Sequence, residues 1–312
     1  MEALVEKLKR FFTQHPVLKS ALQVSPGYIS GVHLSPKERK LKGHFVLPLP
    51  EGVLRPSFEK PNIQEPGLLE KTIRENVEKP TAYDHGVALL IPELAQRTFV
   101  FGFTSLPSGA SEREQLIRFR VKKQLPLLAQ DVRIAYDVIP SGRGRKVVSS
   151  LARALVVAEY EQFFSRLRLR VRAVGVPVLA LANLVDWEKE KNFLVLNIEK
   201  DAFGLFGATE GLPFLSRQKS LMVEGESLSV EEKIPEIVQE VENTVHFIED
   251  REHKSIASVW VRFGTLEPQE GVLDRLQQKT GLAFHSLASR VPLDVSDQEK
   301  ELLAPLVGQV WP

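Results

Sequence analysis

The residue types that most often carry chemistry are sparse in this sequence and do not cluster. There is no cysteine, which excludes disulfides, zinc–thiolate sites, iron–sulfur clusters and cysteine nucleophiles. Of the seven histidines, His246, His253 and His285 have no partner at the spacing of a metal site. The sequence has neither a Gly-rich phosphate loop ending in lysine nor a Gly-x-Gly-x-x-Gly motif after a strand. We therefore predict no catalytic residue, no metal and no cofactor.

Basic residues form two rows that suggest another kind of site. One row lies on a predicted helix and the other alternates with apolar residues: Arg113, Arg118, Arg120, Lys122 and Lys123, then Arg166, Arg168, Arg170 and Arg172. Three interpretations stay open, namely a solvated face, a surface for acidic lipid head groups and a nucleic-acid patch. Because Lys plus Arg is 41 and Asp plus Glu is 40, we favour the solvated face and expect no nucleic acid.

Length and composition indicate a folded protein with two lobes. The 312 residues exceed the size at which one hydrophobic core stops growing. The chain is 43% hydrophobic and 26% charged, which is typical of globular proteins. Residues 1–10 are too charged for a signal peptide, and no stretch reaches the roughly 18 apolar residues of a membrane span. We therefore expect an intracellular location.

The first segment, residues 1–25, is predicted to be an N-terminal amphipathic helix. Apolar residues recur at spacings of three to four among Lys and Arg over residues 2–22, and Pro26-Gly27 then breaks the chain. The helix either packs on the core or binds a partner or a membrane surface. Because few contacts need cross the break, removal of residues 1–22 is expected to leave a folded core.

The remaining elements predict an α/β protein. The order β-α-β-β-α over about residues 99–165 indicates a small inserted α+β unit. A charged break at residues 187–191 separates a first lobe, residues 26–190, from a second lobe, residues 191–312. The second lobe is predicted to contain three strands, a long helix over residues 234–248 and a strand over residues 258–263.

Several short motifs carry a resemblance to a known family. The turn Val46–Gly52 precedes a helix, Leu125-Pro126 leads into the strand Ile134–Asp137, and Gly175 and Pro177 form a later turn. In this order, from about residue 28 to residue 287, the chain resembles PilM, an actin-like protein of type IV pilus assembly. The cell-division protein FtsA and the cytoplasmic domain of GspL are more distant members of the same group.

The resemblance implies an actin-like, ribonuclease-H-like fold of two lobes with the α+β unit inserted in the first. It further implies a scaffold of a type IV pilus or type II secretion platform, peripheral on the cytoplasmic face of the inner membrane. The implied partner is the cytoplasmic peptide of a PilN-like membrane protein, bound at the first lobe. A homodimer is left open.

The residues at the nucleotide motifs depart from the pattern of actin-like ATPases. Those ATPases hold Mg-nucleotide with two Asp-x-Gly turns and a Gly-Gly motif. The resemblance aligns these motifs with His33 to Ser35, Asn197 to Glu199, and Gly264, where both aspartates are absent and one glycine remains. We therefore predict a pseudo-ATPase without nucleotide. The alternative is an ATPase or sugar-kinase-like enzyme of the same fold.

The partner is expected to bind at the inserted unit. Strand edges accept extended peptides by main-chain pairing, and the unit is predicted to have strands at residues 99–103 and 134–138. The candidate contact residues are Phe101, Arg118, Lys122 and Tyr136. The alternative is that these strands complete a small sheet and the charges are solvated.

Overall fold

Two five-stranded sheets with the same strand order form the frame of the molecule. A computed structural model describes residues 18–35, 40–76, 86–127, 130–142, 144–267 and 269–310. The first sheet contains β1 (Ser20–Ser25), β2 (Tyr28–Ser35), β3 (Lys40–Pro48), β4 (Val87–Leu90) and β8 (Val171–Gly175), in the order β3-β2-β1-β4-β8. The second contains β9 (Phe193–Glu199), β10 (Ala202–Thr209), β11 (Leu212–Ser220), β14 (Ser258–Gly264) and β15 (Phe284–Ser286), in the order β11-β10-β9-β14-β15.

In both sheets an antiparallel hairpin is followed by parallel strands. β1 pairs antiparallel with β2 and parallel with β4, while β9 pairs antiparallel with β10 and parallel with β14. The two sheets are therefore topological copies of each other. All residues of β9, β10 and β14 are buried, which agrees with the near-continuous apolar runs of these strands.

Helices fill the space between the sheets and cover their outer faces. They are α1 (Pro66–Asn76), α2 (Ala110–Gln124), α3 (Ala154–Arg166), α4 (Pro177–Ala182), α5 (Val230–Glu252), α6 (Val272–Thr280) and α7 (Asp297–Val310), with short 3-10 turns at Glu93–Ala95 and Leu287–Arg290. One apolar cluster joins the facing sides of both sheets through α4 and α7. Because α7 also packs on β1, β2 and β4, the end of the chain returns to the first lobe.

The outer helices are held by their apolar faces. α1 and α3 share a cluster with the outer face of the first sheet, and α5 and α6 share one with the second. The long helix predicted over residues 234–248 is confirmed as α5. A reciprocal capping box fixes its start, since Ser229 accepts from the Glu232 amide and Glu232 accepts from the Ser229 amide.

The inserted unit is a three-stranded sheet covered by one helix. β5 (Arg97–Phe103), β6 (Val132–Ser141) and β7 (Gly144–Arg153) pair in the order β5-β7-β6, and α2 packs on one face. We call this unit the insert. It ends at Arg153, earlier than the predicted residue 165, because Phe163 and Phe164 of α3 are buried in the first-lobe cluster. A two-stranded ribbon, β12 (Met222–Val223) and β13 (Glu226–Ser227), completes the strands.

The prediction of a helix over residues 1–25 is wrong for its last part. Residues 20–25 form β1, the central strand of the first sheet, and all six are buried. The spacing that predicts the helix is carried by residues before β1, such as Leu4, Leu8 and Phe11. The sequence of β1, SALQVS, lacks the regular alternation of apolar and polar residues that would have indicated a strand. Residues 1–17 lie outside the described part of the chain.

No helix among the described residues has both the length and the apolar character that crossing a membrane requires.

Candidate functional site

The two hairpins at the start of each sheet face each other across the cleft between the lobes. The β1–β2 hairpin turns at Pro26-Gly27, and the β9–β10 hairpin turns at Lys200-Asp201. Counted back from these turns, Ser25 corresponds to Glu199 and Gln23 corresponds to Asn197. The two hairpins touch directly, since Gln23 Nε2 donates to Glu199 Oε1 at 3.2 Å.

Arg262 is a fully buried cation at the centre of this cleft. It stands in β14, beside β9, and its side chain has no exposed surface. The guanidinium donates hydrogen bonds to Asn197 Oδ1 at 2.8 Å, the Tyr28 hydroxyl, the Glu301 carbonyl at 2.8 Å and the Leu302 carbonyl at 3.4 Å. Its Nη1 also lies 3.7 Å from Glu199 Oε1. A buried charge requires such compensation, because removal from water costs several kcal/mol per ion.

Glu93 is the second hub of the same network. Its carboxyl group accepts hydrogen bonds from the Val178 amide at 2.9 Å, Asn197 Nδ2 at 3.0 Å and Gln96 Nε2 at 3.1 Å. Gly204 of β10 makes room for it, since a Cβ at that position would lie 2.6 Å from the Glu93 carboxyl carbon. Glu93 therefore links the first lobe, the start of α4 and the second sheet.

The charges in the cleft are coupled. Burial and the neighbouring Glu199 carboxylate raise the pKa of Glu93 to about 8. Burial also raises the pKa of Glu199, although Arg262 opposes this effect. Because one guanidinium faces two carboxyl groups and Glu199 is within 3.7 Å of it, we assign the negative charge to Glu199 and the neutral form to Glu93.

The structure corrects the position of the first degenerate nucleotide motif. His33 and Ser35 lie at the far end of β2, where His33 Nδ1 is 2.8 Å from Ser20 Oγ. The turn that faces the second lobe follows Ser25. The sequence prediction assigned the motif to the end of β2 and not to the end of β1, because it included the residues of β1 in a helix.

The residues of the second motif and the last glycine lie in the cleft. Asn197 and Glu199 are buried in β9 beside the turn to β10. Gly264 ends β14, where a Cβ would lie 2.0 Å from Arg262 Nη1. The absent side chain of Gly264 therefore makes room for the chain's own guanidinium. No group of three metal-ligating side chains occurs among the described residues.

Four residues of this network were missed from the sequence: Gln23, Tyr28, Glu93 and Arg262. A signal was available for Arg262, because it is the sole charged residue of the strand Ser258–Gly264. A charge inside an otherwise apolar strand must be paired or hydrogen-bonded, so it indicates a buried polar partner. Nothing in the sequence identifies that partner.

A groove between the insert and the first lobe is the second candidate site. β6 is an edge strand of the insert sheet and β8 is an edge strand of the first sheet. One part of the groove has a volume of about 400 Å³ and is lined by Ile134, Ala135, Tyr136, Asp137, Val174 and Gly175, among others. The adjoining part, about 270 Å³, extends to Arg133 and Arg172. Among the described residues no further strand pairs with β6 or β8 on the groove side, so both walls present a strand edge.

The four residues predicted to contact the partner lie at different places in the structure. Tyr136 is among the residues that line the groove, but its side chain packs with the insert core and its hydroxyl accepts a hydrogen bond from Arg113 Nε at 3.3 Å. Phe101 is 5% exposed and packs in the insert core beneath α2. The prediction that Phe101 contacts a partner at the surface is therefore wrong. Arg118 pairs with Glu114 and donates to the Val132 carbonyl, while Lys122 is exposed on α2. Neither basic residue is among those that line the groove.

The row of arginines before β8 has the predicted orientation. Arg166, Arg168 and Arg170 are exposed, whereas Leu167 and Leu169 are buried in the first-lobe cluster. The arginines are thus a solvated row whose last members lie near one end of the groove.

Comparison with known proteins rests on structure. No protein-family model and no curated protein matches the sequence. The chain is similar to the PilM–PilN type IV pilus biogenesis complex, with a TM-score of 0.74 and 16% identity over 95% of this chain and 100% of that chain. It is also similar to the ethanolamine utilization protein EutJ from Carboxydothermus hydrogenoformans, with a TM-score of 0.50 and 10% identity over 100% and 98% of the two chains.

A weaker similarity links the chain to the cytoplasmic domain of EpsL, an inner membrane component of the type II secretion system of Vibrio cholerae. The TM-score is 0.46 and the identity 12%, over 86% of this chain and 96% of that chain. The strand order of the two sheets and the match to the PilM–PilN complex agree on the architecture. The fold is therefore the two-lobed, actin-like fold seen in PilM, with an α+β insert in the first lobe.

Proposed function

We propose that this chain is a non-catalytic scaffold of an inner-membrane assembly platform of the type IV pilus or type II secretion kind. It holds an extended cytoplasmic segment of a PilN-like, membrane-anchored protein. That partner keeps the chain on the cytoplasmic face of the membrane. The observation that carries the proposal is the groove between β6 and β8, the edge strands of two sheets among the described residues, in a fold similar to that of the PilM–PilN complex.

The filled cleft supports the absence of catalysis. In the actin-like ATPases that this chain resembles, the two corresponding hairpin turns hold the phosphates of the nucleotide. Here Gln23 contacts Glu199 directly, and Arg262 supplies the positive charge between the lobes. A phosphate brought to this place would meet the Glu199 carboxylate, which is unfavourable at low dielectric.

Calorimetry with ATP and magnesium tests the pseudo-ATPase part. We expect no binding heat. A dissociation constant of about 0.1 mM or tighter, equivalent to roughly −5.5 kcal/mol, would favour the actin-fold ATPase instead.

A titration with the cytoplasmic tail of a PilN-like protein tests the groove. Ala135 is exposed in the groove wall, so Ala135→Trp fills the groove without disturbing the core. We expect at least a tenfold loss of affinity for the tail at an unchanged melting temperature. Gln115→Trp, on the exposed face of α2, is the matched control and should bind normally. Undiminished binding by the Ala135 variant would refute the groove as the binding site.

A further inference from the structure

The groove between β6 and β8 contains an acidic side chain, Asp137, that has no partner among the described residues. Asp137 stands in β6 opposite Val148 of β7, on the face of the insert sheet that turns toward the first lobe. It lines the groove together with Leu179, Ala180 and Asn183. Among the described residues, no cation and no hydrogen-bond donor contacts its carboxylate, although other acids of the insert are paired, such as Asp131 with Arg153.

The nearest neighbours of Asp137 in the insert sheet are apolar, whereas Ser150, Asn183 and Gln309 are polar residues elsewhere in the groove lining. The strand neighbours of Asp137 on the same face are Ala135 and Ile139, and Ile139 and Val148 pack with Leu179. Burial alone raises the pKa of Asp137 to about 7. An unpaired carboxylate in such a place costs free energy in the isolated chain, and an opposite charge brought into the groove would recover it.

We propose that Asp137 is the charge anchor of the groove and selects an extended segment that carries an Arg or Lys side chain at this position. This proposal rests on the proposed function, because it specifies which residue of the partner segment the groove recognises. Main-chain pairing with a strand edge supplies affinity without regard to sequence, so a buried side-chain contact is what confers specificity.

The other end of the groove has the opposite charge. Arg172 lines it and is exposed, and Arg168 and Arg170 continue the basic surface beyond it. Arg133, at the same end, is already paired with Glu161 at 2.7 Å. The difference in charge between the two ends orients the segment, with its basic residue at Asp137 and its acidic groups toward Arg172.

The test is a double-mutant cycle between Asp137→Asn and the cytoplasmic tail of a PilN-like protein. The full-length chain is titrated with the natural tail and with tails in which each Arg or Lys is changed to Gln in turn. We expect Asp137→Asn to weaken the natural tail about tenfold, as loss of one desolvated charge pair does. One of the substituted tails should show the same loss on the unchanged chain and no further loss on Asp137→Asn.

Two controls separate the outcomes. Asp294→Asn, at an exposed aspartate outside the groove, should bind the natural tail normally. The melting temperature of Asp137→Asn should not fall, because the carboxylate has no partner to lose; a fall would assign Asp137 a structural role and overturn the proposal. Equal binding of the natural tail by Asp137→Asn and the unchanged chain would overturn the anchor and leave the proposed function intact. Failure of the unchanged chain to bind the tail would overturn both.

Discussion

Gln23 and Glu199 form a direct bridge between the two lobes, with 3.2 Å between Gln23 Nε2 and Glu199 Oε1 and a sequence separation of 176. Each lies just before the turn of the first hairpin of its sheet. Next to this bridge, Arg262 joins Asn197 in the second sheet to Tyr28 in the first. Side chains of the described residues therefore occupy the cleft between the two lobes.

Loss of the buried cation should destabilise the protein strongly. Arg262→Met leaves Glu199 buried without its counter-charge, which typically costs about 3–5 kcal/mol. Adding Glu199→Gln removes the uncompensated charge and should recover part of the loss. Chemical denaturation followed by tryptophan fluorescence measures both variants.

The surface pair Arg275–Glu231 provides the matched control, since Glu231 is exposed, Arg275 is partly exposed, and the two side chains are joined at 2.6 Å. Arg275→Met should cost no more than about 1 kcal/mol. Equal losses for the Arg262 and Arg275 variants would contradict the role assigned to the buried network.

The glycine beside Arg262 should not tolerate a methyl group. Gly264→Ala places a Cβ within 2.0 Å of Arg262 Nη1, and the guanidinium cannot move without breaking its own hydrogen bonds. We expect a drop in the free energy of unfolding of about 1–3 kcal/mol, as is usual for overpacking. Gly43→Ala in β3, where no atom lies within 4 Å of the added carbon, is the comparison and should have little effect. A tolerated Gly264→Ala would show that the guanidinium has room to shift.

Protonation of Glu93 should make stability depend on pH. Its pKa is about 8 in the folded protein and has an ordinary value of 4.5. Between these values the folded state binds one more proton than the unfolded state, so the free energy of unfolding falls as pH rises. The slope for one proton is at most about 1.4 kcal/mol per pH unit.

Glu93→Gln removes the group that binds this proton. The free energy of unfolding of the variant should therefore fall less steeply between pH 5 and 8 than that of the unchanged chain. Urea denaturation at several pH values measures the difference in slope. The same substitution at the exposed Glu112 should leave the slope unchanged. Parallel curves for Glu93→Gln and the unchanged chain would assign the extra proton elsewhere.

The sequence was sufficient for the architecture because the order of elements and short turn motifs are local signals. Helix α5 was found from its apolar face and the strand Ser258–Gly264 from its apolar run. Strand β1 was missed because a strand buried on both faces has no alternation, so a helical spacing fits its residues equally well.

The network in the cleft could not be predicted for a different reason. Its members come from distant parts of the chain, and Glu93, Glu199 and Arg262 meet only when the two sheets pack around α4 and α7. Each residue alone has an ordinary sequence context. The same holds for Asp137, whose missing partner becomes visible only once the groove walls are placed.

The length of an N-terminal truncation separates the two interpretations of the first segment. The sequence predicts that removal of residues 1–22 leaves a folded core. The structure places Ser20, Ala21 and Leu22 in β1, where Ala21 and Leu22 pair with Ala88 and Leu89 of β4. Removal of residues 1–22 therefore deletes half of the central strand and exposes an edge of the first sheet.

We now expect that truncation to abolish soluble expression. The comparison is a chain that starts at Leu18 and keeps all of β1. The two truncations differ by five residues, three of them in β1, with Ala21 and Leu22 at most 1% exposed. Loss of Leu22 alone forfeits roughly 2 kcal/mol of burial, and the broken pairing with β2 and β4 adds to it. Soluble expression and thermal denaturation of both chains give the measurement. Equal melting temperatures of the two chains would mean that β1 contributes nothing to the stability of the first lobe. That result would contradict the role that we infer from the complete burial of β1 between β2 and β4.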